Sequence, residues 1–148
     1  EVIEEARNLQ SIHGITNSNT VADEDGVGGG VVDGLGCQGF VNNSQAKKEI
    51  VGGVYQVPNY ANLKSQCSVL VAKKIQNREM VELCDNADII DLVGEEMEQV
   101  KLKDVDKDGK IAILGKDKMK EAIGRSPDDW DTIMMRGYFY LEPEFFIL

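Results

Sequence analysis

The sequence lacks the features that mark membrane-spanning, secreted and zinc-binding proteins. No run of about 18 apolar residues occurs, which excludes a membrane-spanning helix. The chain does not open with a basic segment followed by an apolar one, so no signal peptide is predicted. The cysteines, Cys37, Cys67 and Cys84, have no CxxC spacing, which favours free thiols in a reducing compartment over zinc ligands. We therefore expect a cytoplasmic protein.

Positive charge is also scarce. The 148 residues include 16 lysines and arginines against 26 aspartates and glutamates, for a net charge of -10. Such a chain does not attract nucleic acid through its overall field, so DNA contact would need a local basic patch or bridging metal ions. A hydrophobic content of 42% and a charged content of 28% are typical of a soluble protein, and the length fits one domain, residues 1–148. Because the chain opens directly into a helical pattern without an initial Met, we expect a fragment of a longer protein.

The first third of the chain predicts a βαβ unit behind an opening helix. Apolar residues at helical spacing indicate a helix over residues 2–13 that ends at Gly14. "TVADEDGVGGG" predicts a strand that runs into a glycine-rich turn, "GVVDGLG" a short helix, and "CQGFVNN" a second strand. Two strands joined by a helix are expected to be parallel. Residues 43–58 are polar and glycine-rich, which predicts a long loop.

The rest of the chain predicts helices and one hairpin. An apolar stripe indicates a helix over residues 63–75, and "NADIIDLVGEE" predicts a helix or a turn. Two alternating segments around an Asp-Gly pair predict a β-hairpin over residues 100–114. "KDKMKEAIG" predicts a short helix that stops at Gly124, and a last helix is expected from Ser126. The expected class is α/β, a mixed sheet flanked by helices.

The glycine run does not have the spacing of a nucleotide-binding loop. Counted from Gly26 and Gly28, the sixth position of a GxGxxG motif is Val31, and no Gly-Lys-Ser/Thr follows as a P-loop requires. Glycines after a strand still allow close approach of the backbone to a ligand. Asp23, at the end of the strand, would stand in the crevice where open α/β sheets bind ligands. The alternative for Asp23, Glu24 and Asp25 is a solvated turn.

"DVDKDGKI" begins like a calcium-binding loop. Its acidic residues and Gly109 have the expected offsets, but the twelfth position, a bidentate Glu in such loops, is Gly115. The flanking segments alternate like strands, so a hairpin turn is favoured. A calcium-binding module at residues 104–109 remains the alternative.

"RSPDDWD" crowds three carboxylates at the start of an apolar helix. Ser126 is a good N-cap, and Asp129 falls at the third helical position, as in a capping box. The helix dipole also favours Asp128, but neither effect accounts for Asp131. At about 100° per residue Asp128 and Asp131 share one face, while Asp129 points to solvent. Two carboxylates over an apolar stripe favour a divalent cation, and an exposed helix start is the alternative.

With these residues assembled, the chain resembles the C-terminal nuclease domain of the phage terminase large subunit, the DNA-packaging motor. "VADEDGVGGGVVDGLGCQGFVNN" resembles the family's segment of strand, acid, glycines and helix. "DKDGKIAILGKDKMKEAIGRSPDDWDTIMMRGYFYLE" resembles its closing hairpin and final helix, and "NYANLKSQC" is also similar. The resemblance implies a ribonuclease H-like fold and a metal-dependent endonuclease that cuts concatemeric double-stranded DNA of a phage or prophage during packaging.

The resemblance also implies a two-metal site held by acidic residues of separate elements. Asp23 matches the family's second acid and Asp131 the acid of its final helix, so both are expected to be catalytic and to bind metal. Asp128 stands where some relatives have another ligand, and Asp25 is a further candidate. Hard oxygen ligands favour Mg²⁺ or Mn²⁺. We expect the carboxylates of Asp23 and Asp131 to lie between a few ångströms and about 8 Å apart.

One departure from the family concerns its first acid, which lies on a strand upstream of the opening helix. The resemblance therefore implies a truncated domain that lacks its first strands, one ligand and the packaging ATPase domain. We expect the isolated chain to bind manganese weakly, to cleave DNA poorly and to self-associate through an unpaired sheet edge beside Asp23. A non-catalytic remnant that docks on other phage proteins is the alternative. The implied partners in the host cytoplasm are duplex DNA, the ATPase domain, the small terminase subunit and the portal.

Lysines cluster in one region of this acidic chain, the predicted hairpin and the short helix after it. We expect this region to contact DNA phosphates without base specificity. An ordinary solvated surface is the alternative. The lysines concerned are Lys101, Lys103, Lys107, Lys110, Lys116, Lys118 and Lys120.

Overall fold

The structure is a computed structural model, and it describes residues 1–25, 28–51, 53–80, 85–103 and 109–141, with the backbone alone at Val51. These residues belong to two compact units, Glu1–Ser44 and Gln45–Leu148. Cys84, Lys107 and the acidic residues of the candidate calcium loop lie outside the described residues. Within the described ranges, none of the helices has both the length and the apolar character that a membrane crossing requires.

The first unit is the predicted βαβ arrangement preceded by a helix. Its two strands pair in parallel, with Asp23 opposite Phe40, so the predicted strand direction is confirmed. The opening helix ends at Gly14, whose φ of 65° is the left-handed conformation that glycine adopts readily. The elements in chain order are α1 (Val2–His13), a 3-10 helix (Asn17–Asn19), β1 (Val21–Asp23), α2 (Gly29–Leu35) and β2 (Gln38–Phe40).

Helices α1 and α2 pack closely because Gly34 has no side chain. A Cβ at Gly34 would lie 2.4 Å from Cδ1 of Ile3. The Arg7 guanidinium also donates to the Gly34 carbonyl at 2.7 Å. Phe40 and Leu35 are the buried apolar residues of β2 and α2. The opening helix is thus fixed against the helix that follows the glycine run.

The second unit is mainly helical and contains a strand pair that the sequence analysis did not predict. The prediction of a loop throughout residues 43–58 is wrong, because two strands, β3 (Glu49–Val51) and β4 (Val54–Gln56), pair antiparallel within it. Ile, Val and Tyr residues flank two glycines there, and Gly53 has a φ of 80°, which a tight hairpin turn can use. The elements are β3 (Glu49–Val51), β4 (Val54–Gln56), α3 (Leu63–Gln76), α4 (Ala87–Glu98), α5 (Lys116–Ile123), α6 (Asp128–Met135) and a 3-10 helix (Arg136–Tyr140).

The core of this unit lies between α3, α6 and the last 3-10 helix. Cys67 and Val71 of the predicted stripe are fully buried, which confirms the helix prediction for this segment. A Cβ at Gly137 would lie 3.1 Å from atoms of both residues, so the 3-10 helix crosses α3 at close range. Further buried apolar residues of the unit are Leu63, Met119, Trp130, Met134 and Tyr138.

The predicted hairpin over residues 100–114 is confirmed where its two arms are described. Leu102 faces Ile113 in an antiparallel bridge. On the other side of the second arm, Ile111 pairs in parallel with Tyr60. This arm is therefore held from both sides directly before α5 begins.

Candidate functional site

The first group of candidate ligands lies where the two parallel strands end. Asp23 is the last residue of β1, and Asn42 follows β2 by two residues, so neighbouring carboxyl ends bring them together. The side-chain amide of Asn42 donates to Oδ2 of Asp25 at 2.7 Å and to Oδ1 of Asp23 at 3.3 Å. The backbone amide of Asn42 also donates to Asp25, at 3.0 Å. We call Asp23, Asp25 and Asn42 the strand-end cluster.

The two aspartates of the strand-end cluster are exposed, and they also form a turn. The Asp25 N–H donates to Oδ1 of Asp23 at 3.0 Å, a turn closed by an aspartate side chain. Within the described residues neither carboxylate forms an ion pair with a lysine or an arginine. The geometry of the alternative, a solvated turn, is therefore present, and it brings together two carboxylates that have no ion-pair partner among the described residues.

Gly28 gives the glycine run a structural role at this strand end. A Cβ at Gly28 would lie 1.6 Å from the carbonyl oxygen of Asp23. No side chain fits there, so glycine allows the start of α2 to approach the end of β1. The close approach that the sequence predicted for a ligand is made here by the chain itself.

The second group of candidate ligands lies in the first turn of α6. The Asp131 carboxylate is 18% exposed, and both of its oxygens are paired with lysine ammonium groups. Nζ of Lys64 lies 2.6 Å from Oδ1, and Nζ of Lys116 lies 2.7 Å from Oδ2. Since Lys64 lies in the first turn of α3 and Lys116 in that of α5, side chains from the starts of three helices meet at this carboxylate.

Lys116 also joins Asp131 to Asp128. Its Nζ lies 3.0 Å from Oδ1 of Asp128, so both carboxylates converge on one nitrogen atom. The two aspartates thus share a face as predicted, and Asp129 is exposed as predicted. The pKa of Asp128 lies below its ordinary value, and the largest cause is hydrogen bonding with Ser126 while the next is hydrogen bonding with Lys116. Burial lowers the pKa of Lys116, but hydrogen bonds to the two carboxylates outweigh that effect and raise its pKa overall.

The capping box predicted from Ser126 and Asp129 is wrong, because α6 has no side-chain cap from its own segment. The cap comes from Glu96 of α4, which is fully buried. Its Oε2 accepts a hydrogen bond from the backbone N–H of Trp130 at 2.7 Å, and its Oε1 accepts one from Arg125. Ser126 instead lowers the pKa of the Asp128 carboxyl. A carboxylate more distant in sequence therefore replaces the local hydroxyl at the helix start.

Sequence reasoning missed three residues that complete these groups, Asn42, Lys64 and Glu96. Asn42 had a usable signal, because a polar residue just after the second parallel strand falls at the same sheet edge as Asp23. Lys64 and Glu96 had none, because their contacts with α6 span 67 and 34 residues. Only the packing of the helices brings those side chains to the carboxylates and to the helix start.

The predicted DNA-contacting lysines do not all have the same role. Lys116 pairs with Asp128 and Asp131, and Lys107 lies outside the described residues. Phosphate contact by this region stays a prediction. Those that are exposed and form no ion pair with another described residue are Lys101, Lys103, Lys110, Lys118 and Lys120.

No group of three or more His, Cys, Asp or Glu side chains able to hold a metal ion occurs in the described part of the chain. The strand-end cluster contains two carboxylates, and two of the three at the start of α6 converge on Lys116. The predicted approach of Asp23 to Asp131 concerns residues of different compact units and stays a prediction.

Comparison with known proteins gives a likeness of fold. No protein-family model and no curated protein matches the sequence. One similar solved structure is a mutant nuclease domain of the large terminase subunit gp2 of bacterial virus Sf6, determined with manganese and beta-thujaplicinol. It has a TM-score of 0.68 at 19% identity, over 91% of this chain and 70% of that chain. A second structure of that nuclease domain has a TM-score of 0.68 at 20% identity, with the same coverage. The chain thus shares the mixed α/β fold of that nuclease domain, as the sequence predicted, and its described residues form two two-stranded sheets.

Proposed function

We propose that this chain is a divalent-metal-dependent endonuclease domain that cuts concatemeric double-stranded DNA during phage DNA packaging. The observation that carries the proposal is the fold likeness to a terminase nuclease domain that was determined with manganese. The proposed partners are duplex DNA, a packaging ATPase domain, a small terminase subunit and a portal, and the proposed location is the cytoplasm of the host cell.

The donor atoms fit the proposed metal. Carboxylate oxygens are hard ligands that suit Mg²⁺ and Mn²⁺. The convergence of Asp128 and Asp131 on one lysine nitrogen supports the fit, because a point that favours an ammonium group also favours a metal cation. At the strand-end cluster, Asp23 and Asp25 would supply carboxylates, and Asn42 would supply its carbonyl oxygen after rotation of its amide.

The residues have distinct proposed roles. Asp23 and Asp131 are the catalytic ligands, and Asp25 and Asp128 assist them. A pair of divalent ions, when bound, supplies an activated water and stabilises the leaving oxygen of the phosphodiester. Lys116 compensates the charge of the α6 carboxylates in the metal-free chain, and Lys64 keeps Oδ1 of Asp131 oriented.

A second candidate function is a non-catalytic module of the same fold. The observation in its favour is that both oxygens of Asp131 already carry ammonium partners at 2.6 and 2.7 Å. A carboxylate paired in this way is stable without a metal. In this second candidate the lysines replace the metal permanently.

Manganese binding separates the two candidates. We expect the free Mn²⁺ signal in electron paramagnetic resonance to show weak binding to the wild-type chain. We expect Asp131→Asn to weaken that binding about tenfold or more, because it removes a charged ligand. The matched control is Asp129→Asn, which removes the same charge from an exposed neighbour and should leave binding unchanged. Equal binding by all three proteins would favour the non-catalytic module.

Plasmid nicking in Mn²⁺ completes this test. We expect little or no cleavage by the isolated chain, because both oxygens of Asp131 are already paired with lysine ammonium groups. Robust cleavage that Asp131→Asn abolishes and Asp129→Asn preserves would establish the nuclease, and it would show that the chain holds a complete site.

A further inference from the structure

The carboxylate of Glu96 is buried at the start of α6 although it belongs to α4. Its side chain has no exposure to solvent. Oε2 accepts a hydrogen bond from the backbone N–H of Trp130 at 2.7 Å, and Oε1 accepts one from Arg125. A buried carboxylate is costly unless it is paired and hydrogen-bonded. Arg125 and the backbone N–H of Trp130 meet this requirement for Glu96.

The contact provides a hydrogen-bond acceptor for an N–H group in the first turn of α6. The first N–H groups of a helix have no partner within it, and α6 lacks a side-chain cap from its own segment. Trp130 is the third residue of α6, so its N–H is one of these groups. The positive end of the helix dipole also favours an anion at this position. Glu96 therefore fixes the first turn of α6 relative to α4.

That first turn carries both candidate metal ligands of the second unit. Asp131 follows Trp130 directly, and Asp128 precedes it by two residues. The two carboxylates converge on Nζ of Lys116, at 3.0 and 2.7 Å. A small rotation or unwinding of the turn would separate them, because they are three residues apart on one helical turn.

We propose that Glu96 is a positioning residue, which holds the first turn of α6 so that the carboxylates of Asp128 and Asp131 converge on one cation position. The cation is Lys116 in the metal-free chain and, if the proposed nuclease function is correct, a divalent metal during catalysis. The second half of this inference rests on the proposed function, and the first half is independent of it.

The variants for the test are Glu96→Gln and Glu96→Leu in the full chain. Gln keeps one oxygen that can accept the Trp130 N–H, whereas Leu keeps none. The matched control is Glu95→Gln, which alters the adjacent residue of α4. Glu95 is half-exposed and contacts Arg125 at 2.9 Å but not Trp130.

The first readout requires no metal. We expect the carboxyl carbon signals of Asp128 and Asp131 in nuclear magnetic resonance spectra to move in Glu96→Leu, to move less in Glu96→Gln and to stay in place in Glu95→Gln. If they stay in place in both Glu96 variants while the proteins remain folded, the positioning role is overturned. If Glu96→Leu does not fold, Glu96→Gln decides the question by the same signals.

The second readout is Mn²⁺ affinity of the folded protein. We expect a loss of about tenfold in Glu96→Leu, as for other residues that orient metal ligands, with partial rescue in Glu96→Gln. Lower thermal stability with unchanged affinity and unmoved carboxyl signals would mean a purely structural role and would overturn the proposal. If the carboxyl signals move but Asp131→Asn leaves Mn²⁺ binding unchanged, the positioning role of Glu96 is supported and the proposed nuclease function is refuted.

Discussion

At the residue scale, the acidic start of α6 is explained by its cationic neighbours. Three carboxylates within four residues repel one another, but Lys64 and Lys116 approach Asp131 to 2.6 and 2.7 Å from other helices. Any divalent cation at Asp131 must compete with an ammonium group already in place. The metal affinity should therefore be lower than the donor atoms alone would give, which agrees with the weak binding that we predict.

Gly28 provides a test of how the end of β1 is built. We expect Gly28→Ala to lower the free energy of unfolding of the first unit by about 1–3 kcal/mol, because the added methyl group would overlap a backbone atom. The methyl carbon would lie 1.6 Å from the Asp23 carbonyl oxygen. The measurement is urea unfolding followed by the amide signals of residues 1–44.

Gly30→Ala is the matched control for this substitution. Gly30 lies two residues further into the same segment, and a Cβ there meets nothing within 4 Å. We expect this change to be neutral or to stabilise the unit by up to about 1 kcal/mol, because alanine favours the helix. Equal losses in the two variants would mean that the helix start, and not the contact with Asp23, requires glycine.

At the element scale, the sequence predicted the elements that obey local rules. The βαβ order of the first unit followed from alternating and helical patterns between glycines, and α5 ended at Gly124 as expected. The positions of Asp23 and Asp131 in their elements were also predicted. These features depend on the few residues nearest in sequence, which is why a pattern can identify them.

Two of the three failures involve contacts between residues that are distant in sequence. Ser126 has the chemistry of an N-cap, but a buried carboxylate from α4 takes that role. The loop prediction over residues 43–58 failed because a polar, glycine-rich composition does not exclude two short strands on either side of a turn such as that at Gly53. The lysine partners of Asp131 lie on other helices, so no spacing rule could have indicated them.

Gln66 tests a contact between elements that no local pattern predicts. Its side chain is fully buried in α3 and forms hydrogen bonds of 2.8 Å with the backbone N–H and carbonyl of Lys47 and with Glu49. Gln66→Leu keeps the approximate size but removes these hydrogen bonds, so we expect a loss of about 1–3 kcal/mol in the free energy of unfolding. Urea unfolding measures it.

The control is Gln76→Leu, the same substitution at the exposed end of the same helix. We expect a change within about 0.5 kcal/mol, as for surface positions without special contacts. A loss at Gln76 as large as at Gln66 would mean that leucine is simply unsuited to this helix. In that case the contact with β3 and the segment before it would not be the cause.

At the scale of the whole molecule, charge is the property that most constrains the proposed function. A net charge of -10 repels DNA, so binding must depend on where the lysines lie. The exposed lysines of the hairpin and of α5 have no ion pair with another described residue, whereas Lys116 is engaged at the carboxylates. The region can therefore offer a local positive surface next to an acidic one on α6.

Charge reversal separates this local surface from the overall field. We expect the triple variant Lys101→Glu, Lys103→Glu and Lys110→Glu to weaken binding of a short duplex and to flatten its salt dependence. The slope of log affinity against log salt should fall by about 0.9 for each DNA phosphate that a lysine no longer neutralises.

The control reverses three exposed cations elsewhere in the second unit, Lys48, Lys73 and Arg78, and so changes the net charge by the same amount. Fluorescence anisotropy in the presence of a chelator measures binding without cleavage. If affinity and slope fall equally in the two variants, the overall field governs binding and the hairpin is not the DNA-contacting surface.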